Sequence, residues 1–339
     1  MPERSGRLTP TNHPILLESS LPITLPTLLT LLLWLAAGTT SLFSLLGFLS
    51  HLDWKLELFS HFRLQYVLLL GLCTLAFIVA ADLPGAVFCL AFLGGNLALI
   101  LPIYRRRKQP AGKGRTTRLF FANILGTNSN YERLKQSILA ADADIVLLVE
   151  VRSNHMERLL PALSGYPNWF AQPHFKNYGL AIFSRLPLES VEAQAFDERC
   201  TPALVARLRL DGTPMTLVGI HPYPPKSRKQ AARRNHQLAM TTAFIQAQPG
   251  ELFLAGDFNS TSWSHAFGQL LRQTHLLDSR QGIGLQPSWP AGNVLLRIPI
   301  DHVLHTPGIH IQGRKLGQPT GSDHLPVIVE FVIWPRSGE

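Results

Sequence analysis

Three apolar stretches in the second half of the chain each end in a polar side chain that could bind a metal ion or a phosphate group. These side chains are Glu150, His221 and Asp257, and Asn259 stands two residues beyond Asp257. Side chains two residues apart on an extended chain face the same way, so Asp257 and Asn259 are expected to share one site. A buried strand that ends in this manner places its polar group at the rim of the sheet. Several strands that end at one rim would form a catalytic or metal-binding site.

Two Asp-His pairs add to this set near the end of the chain. Asp301 and His302 stand at the start of one predicted strand, and Asp323 and His324 precede the final strand. An aspartate that accepts a hydrogen bond from a histidine fixes its tautomer and favours its protonated form, which suits a residue that faces a phosphate. Each pair taken alone is also typical of a loop with Asx-turn chemistry. The repetition of such pairs at strand ends favours the functional interpretation.

The order of these motifs resembles that of the endonuclease/exonuclease/phosphatase superfamily. That superfamily includes deoxyribonuclease I, abasic-site endonucleases, neutral sphingomyelinases and inositol-polyphosphate phosphatases. The resemblance covers about residues 118–335 and is greatest to bacterial membrane-anchored members with N-terminal spans. The motifs that carry it are Ala122-Asn123, Val149-Glu150, Tyr178-Gly179 with Ser184-Arg185, Gly219-Ile220-His221, Gly256-Asp257-Phe258-Asn259, Ile300-Asp301-His302 and Ser322-Asp323-His324.

The resemblance implies a hydrolase that acts on phosphoric ester bonds, with Mg²⁺ as cofactor and Mn²⁺ as a substitute. Carried over by position, it makes Glu150 the main metal ligand and places Asn123 and Asp323 close to the metal. Asn128 and Asn130 are reserve candidates for the amide ligand, because the segment after Asn123 is short. Hard oxygen ligands of this type suit Mg²⁺. The sequence has no Cys and His cluster with zinc spacing.

The same resemblance implies catalytic roles for His221, Asp257, Asn259, Asp301 and His324. Asp257 would activate or hold the attacking water, and Asn259 would help to position that water and the phosphate. His324 would bind the scissile phosphate and would be oriented by Asp301. His221 stands where family members use His or Tyr near the leaving oxygen.

The elements that must position these side chains are short β-rich runs and a few helices. Strands outnumber helices, and the Asp211-Gly212 dipeptide between two of the strands is a strong hairpin signal. The predicted class is α/β, an α+β sandwich of two mixed, largely antiparallel β-sheets flanked by helices and preceded by a transmembrane α-helical region. The predicted strands are 118–123, 145–150, 180–184, 203–210, 215–221, 252–257, 302–305 and 327–332, and the predicted helices are 130–141, 155–163, 227–247 and 265–271.

The first third of the chain differs in composition from the rest. Only 16% of all residues are charged, and residues 1–117 contain 10 Lys and Arg and 5 Asp and Glu. Apolar runs at 25–49, 65–81 and 86–104 match the roughly 20 residues that a helix needs to cross the hydrocarbon core, and the break at 82–85 is typical of a turn. We expect a membrane region at 1–104 with about three transmembrane helices, a basic linker at 105–117 and a catalytic domain at 118–335.

Basic residues in the flanks of the predicted spans indicate their orientation. Two lie on the side of the N-terminus and nine on the side of the catalytic domain. We therefore expect an integral protein of the bacterial inner (cytoplasmic) membrane with a cytoplasmic catalytic domain. A periplasmic domain is the alternative, because the count depends on an odd number of spans. Cys200 is the one cysteine of residues 118–339, so cysteine usage does not indicate the compartment.

The main function hypothesis is a membrane-anchored, Mg²⁺-dependent phosphodiesterase that is nuclease-like by resemblance. Its expected partners are the lipid bilayer and a phosphodiester substrate, either nucleic acid or a phospholipid headgroup; no protein partner is inferable. Arg185 resembles the family's structural or phosphate-side arginine and completes a substrate-binding set with Asn259 and His324. The alternatives are a phospholipid or phosphoinositide phosphodiesterase or phosphatase, a non-catalytic membrane-anchored binding module, and an exported toxin or secretion component.

Overall fold

The computed structural model describes residues 24–106 and 114–333 of the chain, so most of the predicted linker lies outside the described residues. The N-terminal part is helical. Its helices are α1 (Leu25–Phe48), α2 (Trp54–Ser60), α3 (Arg63–Val79) and α4 (Leu83–Ile100), and a 3₁₀ turn follows at Leu101–Tyr104. α1, α3 and α4 pack around a small apolar cluster, while their outward faces carry exposed leucines.

Two of these helices are long and apolar enough to cross a membrane. They are α1 and α4, the latter counted through Tyr104. α2 and α3 meet the same criterion only as a pair, and the chain bends by 58° between them. The expectation of three spans therefore becomes two spans, or three if the bent pair is one broken span. The break at 82–85 is shorter than expected, because Asp82 caps α4 and Pro84 lies in its first turn.

The rest of the described chain is a two-layer β sandwich with helices on its outer faces. Its strands are β1 (Thr117–Asn123), β2 (Ile145–Val149), β3 (Asn168–Gln172), β4 (Leu180–Ser184), β5 (Ser190–Gln194), β6 (Ala203–Leu210), β7 (Thr213–Ile220), β8 (Glu251–Asp257), β9 (Leu277–Asp278), β10 (Asp301–His305), β11 (Ile309–Leu316) and β12 (Val327–Ile333). Its helices are α5 (Tyr131–Ala141), α6 (Ser153–Ala162), α7 (Arg228–Gln246) and α8 (His265–Thr274).

Each layer is a six-stranded mixed sheet. The first has the order β11-β12-β1-β2-β4-β3, and the second has the order β5-β6-β7-β8-β10-β9. The central pairs, β1 with β2 and β7 with β8, are parallel and are connected through α5 and α7, whereas the other pairings of these strands are antiparallel. This architecture confirms the predicted fold class. In each sheet the two parallel strands end at the same edge.

Alternating side chains on the central strands build the core. In β1, Leu119 and Phe121 belong to the cluster between the sheets, whereas Phe120 packs on the outer face with α5 and α6. The second sheet contributes Phe253, whose ring meets that of Phe331 edge-on with 4.6 Å between the centroids. A third cluster packs α7 and α8 on the outer face of the second sheet. Because both faces of the central strands are buried, these strands are apolar until the polar residue at the end.

The predicted strands and helices of the sandwich are all present, with ends shifted by at most three residues. The prediction missed β3, β5, β9 and β11, which are the four edge strands of the two sheets. Edge strands expose one backbone edge and more side chains, so their sequences alternate weakly; β11 is further interrupted by a register shift between Ile311 and Gly313. The prediction also missed α2, which lies in a stretch that reads as a polar connection.

Candidate active site

Polar residues at the ends of the four central strands meet at one end of the sandwich. Asn123 is the last residue of β1 and Asp257 the last of β8, while Glu150 and His221 directly follow β2 and β7. The side-chain Nδ2 of Asn123 donates hydrogen bonds to Glu150 Oε1 and to Asp257 Oδ2, each at 3.0 Å. A single amide therefore connects a carboxylate of the first sheet with a carboxylate of the second.

Glu150 has an unusual backbone conformation. Its φ of 64° lies in the left-handed region, which is uncommon for a residue other than glycine and is often found at functional sites. Its Oε2 accepts a hydrogen bond from the backbone N–H of Gly126 at 2.9 Å. Oδ1 of Asn123 accepts a hydrogen bond from the backbone N–H of Leu125 at 3.0 Å. The turn that follows β1 thus orients both Asn123 and Glu150.

Asp257 is buried, and the turn after β8 fixes its carboxylate. Oδ1 of Asp257 accepts a hydrogen bond at 2.9 Å from the backbone N–H of Asn259, which itself has a left-handed φ of 49°. The side-chain amide of Asn259 donates to the carbonyl of Pro222 at 3.0 Å, which joins this turn to the end of β7. Glycine is required at position 256, because a Cβ on Gly256 would lie 2.1 Å from the carbonyl oxygen of Ile220.

His324 and Asp301 form a buried pair beside Asp257. Nδ1 of His324 donates to Asp301 Oδ2 at 2.8 Å, and Nε2 of His324 lies 3.6 Å from Asp257 Oδ2. Burial alone would lower the pKa of His324, but the carboxylates of Asp301 and Asp257 raise it to about 10. Burial raises the pKa of Asp257, against the opposing charge of His324. The strand register explains the geometry, since Asp301 of β10 is directly opposite Asp257 of β8.

His221 approaches the same two carboxylates. Its Nε2 lies 3.6 Å from Asp257 Oδ2 and 3.8 Å from Glu150 Oε1. Its Nδ1 donates to the carbonyl of Asn177 at 3.1 Å, which turns Nε2 toward the two carboxylates. The ring of Tyr178 packs against the imidazole with 5.8 Å between the centroids. The Nε2 side of the His221 imidazole therefore faces the carboxylates of Glu150 and Asp257.

The carboxylates of Glu150 and Asp257 fit a hard divalent cation. Glu150 Oε1 and Asp257 Oδ2 each lie 3.0 Å from one atom, Nδ2 of Asn123, and Mg²⁺ typically takes one or two carboxylates while it keeps several waters. Glu150 is the more accessible of the two, with 12% of its side chain exposed against 3% for Asp257. Asp257, Asp301 and His324 also have potential ligand atoms within 4.8 Å of one another, but His324 and Asp301 are hydrogen-bonded to each other there. Glu150 is therefore the principal candidate ligand.

Three further candidate ligands from the sequence lie around this centre rather than in it. Asp323 is exposed at the edge of the cavity, and its Oδ2 accepts a hydrogen bond from Trp289 Nε1 at 2.9 Å. Asn128 donates its side-chain amide to a carbonyl of the loop before β12. Asn130 caps the N-terminus of α5. Of the candidate amides, Asn123 therefore lies at the carboxylates, whereas the side chains of Asn128 and Asn130 form hydrogen bonds with backbone groups.

The structure does not bring Arg185 to this group, which corrects its predicted position beside the phosphate. Arg185 follows β4, which runs antiparallel to β2 and pairs Ser184 with Ile145 at the start of β2. Glu150 follows the opposite end of β2. Arg185 instead forms a surface ion pair with Asp142, with 2.6 Å between nitrogen and oxygen. The direction of β4 therefore places the whole length of the sheet between Arg185 and the carboxylates.

A cavity of about 460 Å³ adjoins the catalytic candidates, and Glu150, His221, Asp257, Asn259 and His324 all line it. Asp301 supports His324 from behind. Tyr178 and Ile300, which belong to two of the sequence motifs, line the cavity as well. Leu58, His61 and Ile298 also line it and were not predicted, although the ionisable Glu57 and Arg63 between apolar runs were a signal that the α2 region is buried.

Two-sheet sandwiches in which acidic and imidazole groups meet at the ends of the central strands form a class of phosphoester hydrolases. The chain belongs to the Endonuclease/Exonuclease/phosphatase family, whose sequence profile matches residues 120–324. This match confirms the resemblance of the motifs and makes the protein an enzyme that acts on phosphoric ester bonds, in a family that typically depends on divalent metals. No curated protein matches the chain.

Several solved structures are similar to the catalytic part. Danio rerio TDP2 in complex with a single-strand DNA product is 17% identical, with a TM-score of 0.55 over 64% of this chain and 98% of that chain. The mannosyl-6-phosphatase of Bacteroides thetaiotaomicron is 17% identical, with a TM-score of 0.54 over 64% and 100%. An endonuclease/exonuclease/phosphatase from Beutenbergia cavernae is 19% identical, with a TM-score of 0.54 over 65% and 72%. At these identities the similarity shows the shared fold.

Proposed function

We propose that this protein is a membrane-anchored phosphodiesterase that requires a divalent cation, with Mg²⁺ preferred and Mn²⁺ as a substitute. The observation that carries the proposal is the junction at Asn123, where carboxylates from two different sheets meet through one amide. Membership of the family supports phosphate ester hydrolysis. The oxygen donors of Glu150 and Asp257 support a hard cation rather than zinc.

Glu150 would hold the cation, and Asn123 would keep Asp257 next to it. The bound cation would neutralise charge on the phosphoryl oxygens and on the leaving oxygen. Asp257 is suited to hold the attacking water and accept its proton at Oδ2, because Oδ1 is already fixed by the N–H of Asn259. The exposed carboxylate of Asp323 lines the same cavity and would be a further acidic group close to the cation.

His324 and His221 would contact the phosphate ester. Since Asp301 accepts the Nδ1 proton of His324, Nε2 of His324 can donate a hydrogen bond to a phosphate oxygen. His221 has its Nδ1 bound to a carbonyl, so its Nε2 faces the leaving-group side of the site. Asn259 would help to position the phosphate next to Asp257. Together these groups would align water and phosphate for in-line attack.

Membrane anchoring is supported by the helices of the N-terminal part. The end of α1, the start of α3 and the end of α4 all lie toward the sandwich, as contacts from the connecting segments show: Asp53 pairs with Arg228 at 3.3 Å, and the carbonyl of Ile103 accepts from the N–H of Gly282 at 2.7 Å. The basic residues that flank the helices are concentrated at this end, which favours the cytoplasmic side of a bacterial inner membrane. A reporter fused to the C-terminus would distinguish this orientation from a periplasmic one.

The full chain, purified in detergent, tests the enzymatic proposal with Mg²⁺ and bis-p-nitrophenyl phosphate. We expect hydrolysis that EDTA stops, that added Mg²⁺ restores, and that Asp257→Ala abolishes. Asp142→Ala is the matched control, because this aspartate is exposed and lies at the far end of the sheet. Equal hydrolysis in the presence of EDTA, or by the Asp257→Ala chain, would overturn the proposal.

The substrate class is a separate question. By their names, the similar structures include a phosphatase of a sugar phosphate and a protein bound to a DNA product. These names support a phosphate ester in general, and the nuclease-like interpretation rests on family resemblance alone. The contacts between the N-terminal helices and the cavity bear on this choice.

A further inference from the structure

The N-terminal helical part supplies one wall of the catalytic cavity. Leu58, in α2, and His61, just after it, line the cavity that holds the catalytic candidates. Nδ1 of His61 is hydrogen-bonded to Thr261 Oγ1 at 3.1 Å. The buried carboxylate of Glu57 forms an ion pair with the fully buried guanidinium of Arg234 in α7. The bend between α2 and α3 is therefore built into the active site.

A second segment beside this bend exposes three consecutive apolar side chains. This apolar tip, Val294–Leu296, is one short 3₁₀ turn, and its side chains are 70%, 75% and 50% exposed. Nε2 of Gln65, in the first turn of α3, donates to the carbonyls of Leu295 and Arg297, each at 3.0 Å. The apolar tip is therefore attached to the start of α3 through its backbone, while its side chains point to solvent.

The exposed apolar surface continues from the apolar tip onto α3. Leu68 is three residues beyond Gln65, about 4.5 Å along the helix axis, and the exposed side chains of α3 include Leu68, Leu69 and Leu72. Contiguous apolar surface of this kind indicates a membrane or partner contact. Continuity with helices that are apolar enough to span a membrane identifies lipid as the medium that covers it.

Both apolar and polar side chains line the cavity. The apolar tip lies in sequence between Trp289 and Ile298, and both of these line the cavity. The ring of Trp289 packs beside that of His324, with 6.2 Å between the centroids. Lys176 and Lys226 are exposed residues that also line it. Basic side chains at a membrane surface attract anionic headgroups. A cavity lined by apolar side chains, by the catalytic candidates and by two exposed lysines suits an amphiphile that carries a phosphate ester.

We propose that the substrate is the phosphate ester of a membrane lipid, which reaches the cavity from the bilayer surface between α2 and the apolar tip. This inference rests on the proposed hydrolase function and adds the substrate class. The apolar tip would insert among the headgroups, and the acyl chains would stay in the bilayer while the phosphate contacts the catalytic groups. Water would add across one P–O bond, so that its oxygen joins the phosphorus and the leaving alcohol oxygen takes up a proton.

The test compares two esters that share one leaving group and differ in one alkyl chain. Methyl p-nitrophenyl phosphate is soluble, whereas hexadecyl p-nitrophenyl phosphate resides in vesicles. The full chain, reconstituted in dioleoylphosphatidylcholine vesicles with Mg²⁺, is given each ester in turn. The variants are Leu295→Asp with Leu296→Asp, and the control is Leu139→Asp. Leu139 is 43% exposed on α5, on the outer face of the first sheet.

We expect kcat/KM to be at least about tenfold higher for the hexadecyl ester, and the tip variant to lose this preference while it cleaves the methyl ester like the unmodified chain. Insertion of exposed leucine side chains into the apolar part of the bilayer favours binding, and a tenfold preference corresponds to about 1.4 kcal/mol. Leu139→Asp should keep the preference, which separates tip insertion from simple partition of the ester into the vesicle.

Three results would overturn the inference: equal kcat/KM for both esters, a preference that the tip variant retains, or faster cleavage of single-stranded DNA than of the hexadecyl ester. Failure to cleave either ester would instead contradict the proposed hydrolase function itself. The two proposals are therefore separable within one experiment.

Discussion

The two sheets of the sandwich follow the same plan but contribute different chemistry. In each, a central pair of parallel strands is joined by a helix and flanked by antiparallel neighbours: β1-α5-β2 in the first sheet and β7-α7-β8 in the second. The first pair ends in an amide and a carboxylate, Asn123 and Glu150. The second ends in an imidazole and a carboxylate, His221 and Asp257. We infer that the first sheet holds the cation and that the second handles water and phosphate.

The helices on the outer faces show a second difference. The buried face of α5 is mostly apolar and packs on its own sheet, whereas the buried face of α7 includes Arg234 and Gln237. Gln237 accepts hydrogen bonds from Thr201, and Arg234 pairs with Glu57 of α2. The second sheet is thus completed by the N-terminal part, so the half to which we assign water and phosphate is the half that lies next to the N-terminal helices.

Two isosteric substitutions test most directly whether the first sheet holds the cation and the second handles water and phosphate. Asp257→Asn should lower kcat by a factor on the order of 10²–10⁴ at saturating Mg²⁺, because an amide does not accept the proton of the attacking water. Glu150→Gln should instead raise the Mg²⁺ concentration needed for half-maximal rate, because it removes the charged ligand. The rate of bis-p-nitrophenyl phosphate hydrolysis across a Mg²⁺ titration measures both effects.

The proposed division of roles requires the two substitutions to change different quantities, the maximal rate for Asp257→Asn and the Mg²⁺ dependence for Glu150→Gln. If Asp257→Asn shifted the Mg²⁺ dependence while Glu150→Gln lowered only the maximal rate, the assignment of the two carboxylates would be reversed. Identical titration curves for both variants would show that the carboxylates act as one unit.

The attachment of the second sheet to the N-terminal part is tested at Glu57. Glu57→Gln should destabilise the full chain by roughly 3–5 kcal/mol, because it leaves the buried guanidinium of Arg234 without its counter-charge. Asp53→Asn is the matched control, since Asp53 pairs with Arg228 at the surface and such pairs contribute about 0–1 kcal/mol. Denaturant midpoints in one detergent compare the variants. Equal midpoints for both would mean that α2 does not stabilise the second sheet.

Two buried histidines of the catalytic part, His324 and His302, have different neighbours and therefore different pKa values. His324 faces carboxylates, whereas His302 accepts a hydrogen bond from Arg280 and donates to the carbonyl of Ser260. Burial and the charge of Arg280 lower the pKa of His302 to about 3. The unfolded chain, with a histidine pKa near 6.5, therefore binds the extra proton first, and stability is lost as the pH falls from 6.5 toward 3.

His302 should accordingly make the protein acid-sensitive. From the difference between the folded and unfolded pKa values, the free energy of unfolding should fall by about 2 kcal/mol between neutral pH and pH 5 because of this residue. His302→Gln should remove this part of the pH dependence, whatever its effect on stability at neutral pH. Exposed His51 offers the control His51→Gln, which should keep it. Unfolding free energies measured between pH 7 and pH 5 decide the matter, and parallel curves for His302→Gln and the unmodified chain would contradict the prediction.

The residue patterns predicted the strand ends, whereas the pairing of Asp301 with His324 was predicted only from the family resemblance. Asp301-His302 and Asp323-His324 are equivalent as sequence pairs, yet Asp301 bonds to His324 rather than to its own neighbour. Adjacent residues of a strand point to opposite faces, so Asp301 faces the site while His302 packs with Phe258 and Phe267 on the outer side. Periodicity gives the faces of each strand but not which aspartate meets which histidine, and the structure confirms the contact between Asp301 and His324 that the resemblance implied.

For the part of the cavity that the N-terminal helices line, the sequence signal was weaker: the ionisable Glu57 and Arg63 between apolar runs indicate burial but not what covers them. Leu58 and His61 reach the cavity because α2 bends away from α3, and bends at a short helix depend on what the helix packs against. The ion pair between Glu57 and Arg234 connects residues 177 positions apart. Contacts of that separation follow from the docking of two folded parts, which local patterns do not specify.

Arg185 is expected to contribute little to either activity or stability, because it lies at the end of the first sheet remote from Glu150. A surface arginine that pairs with Asp142, 37% and 69% exposed, should contribute less than about 1 kcal/mol to stability. Because β4 runs against β2, Arg185→Ala should also leave kcat and KM within about twofold, a difference of only about 0.4 kcal/mol. Hydrolysis of bis-p-nitrophenyl phosphate together with a denaturant midpoint measures both quantities. A tenfold rise in KM would place the guanidinium at the phosphate after all, and would require a first sheet that binds substrate as well as the cation.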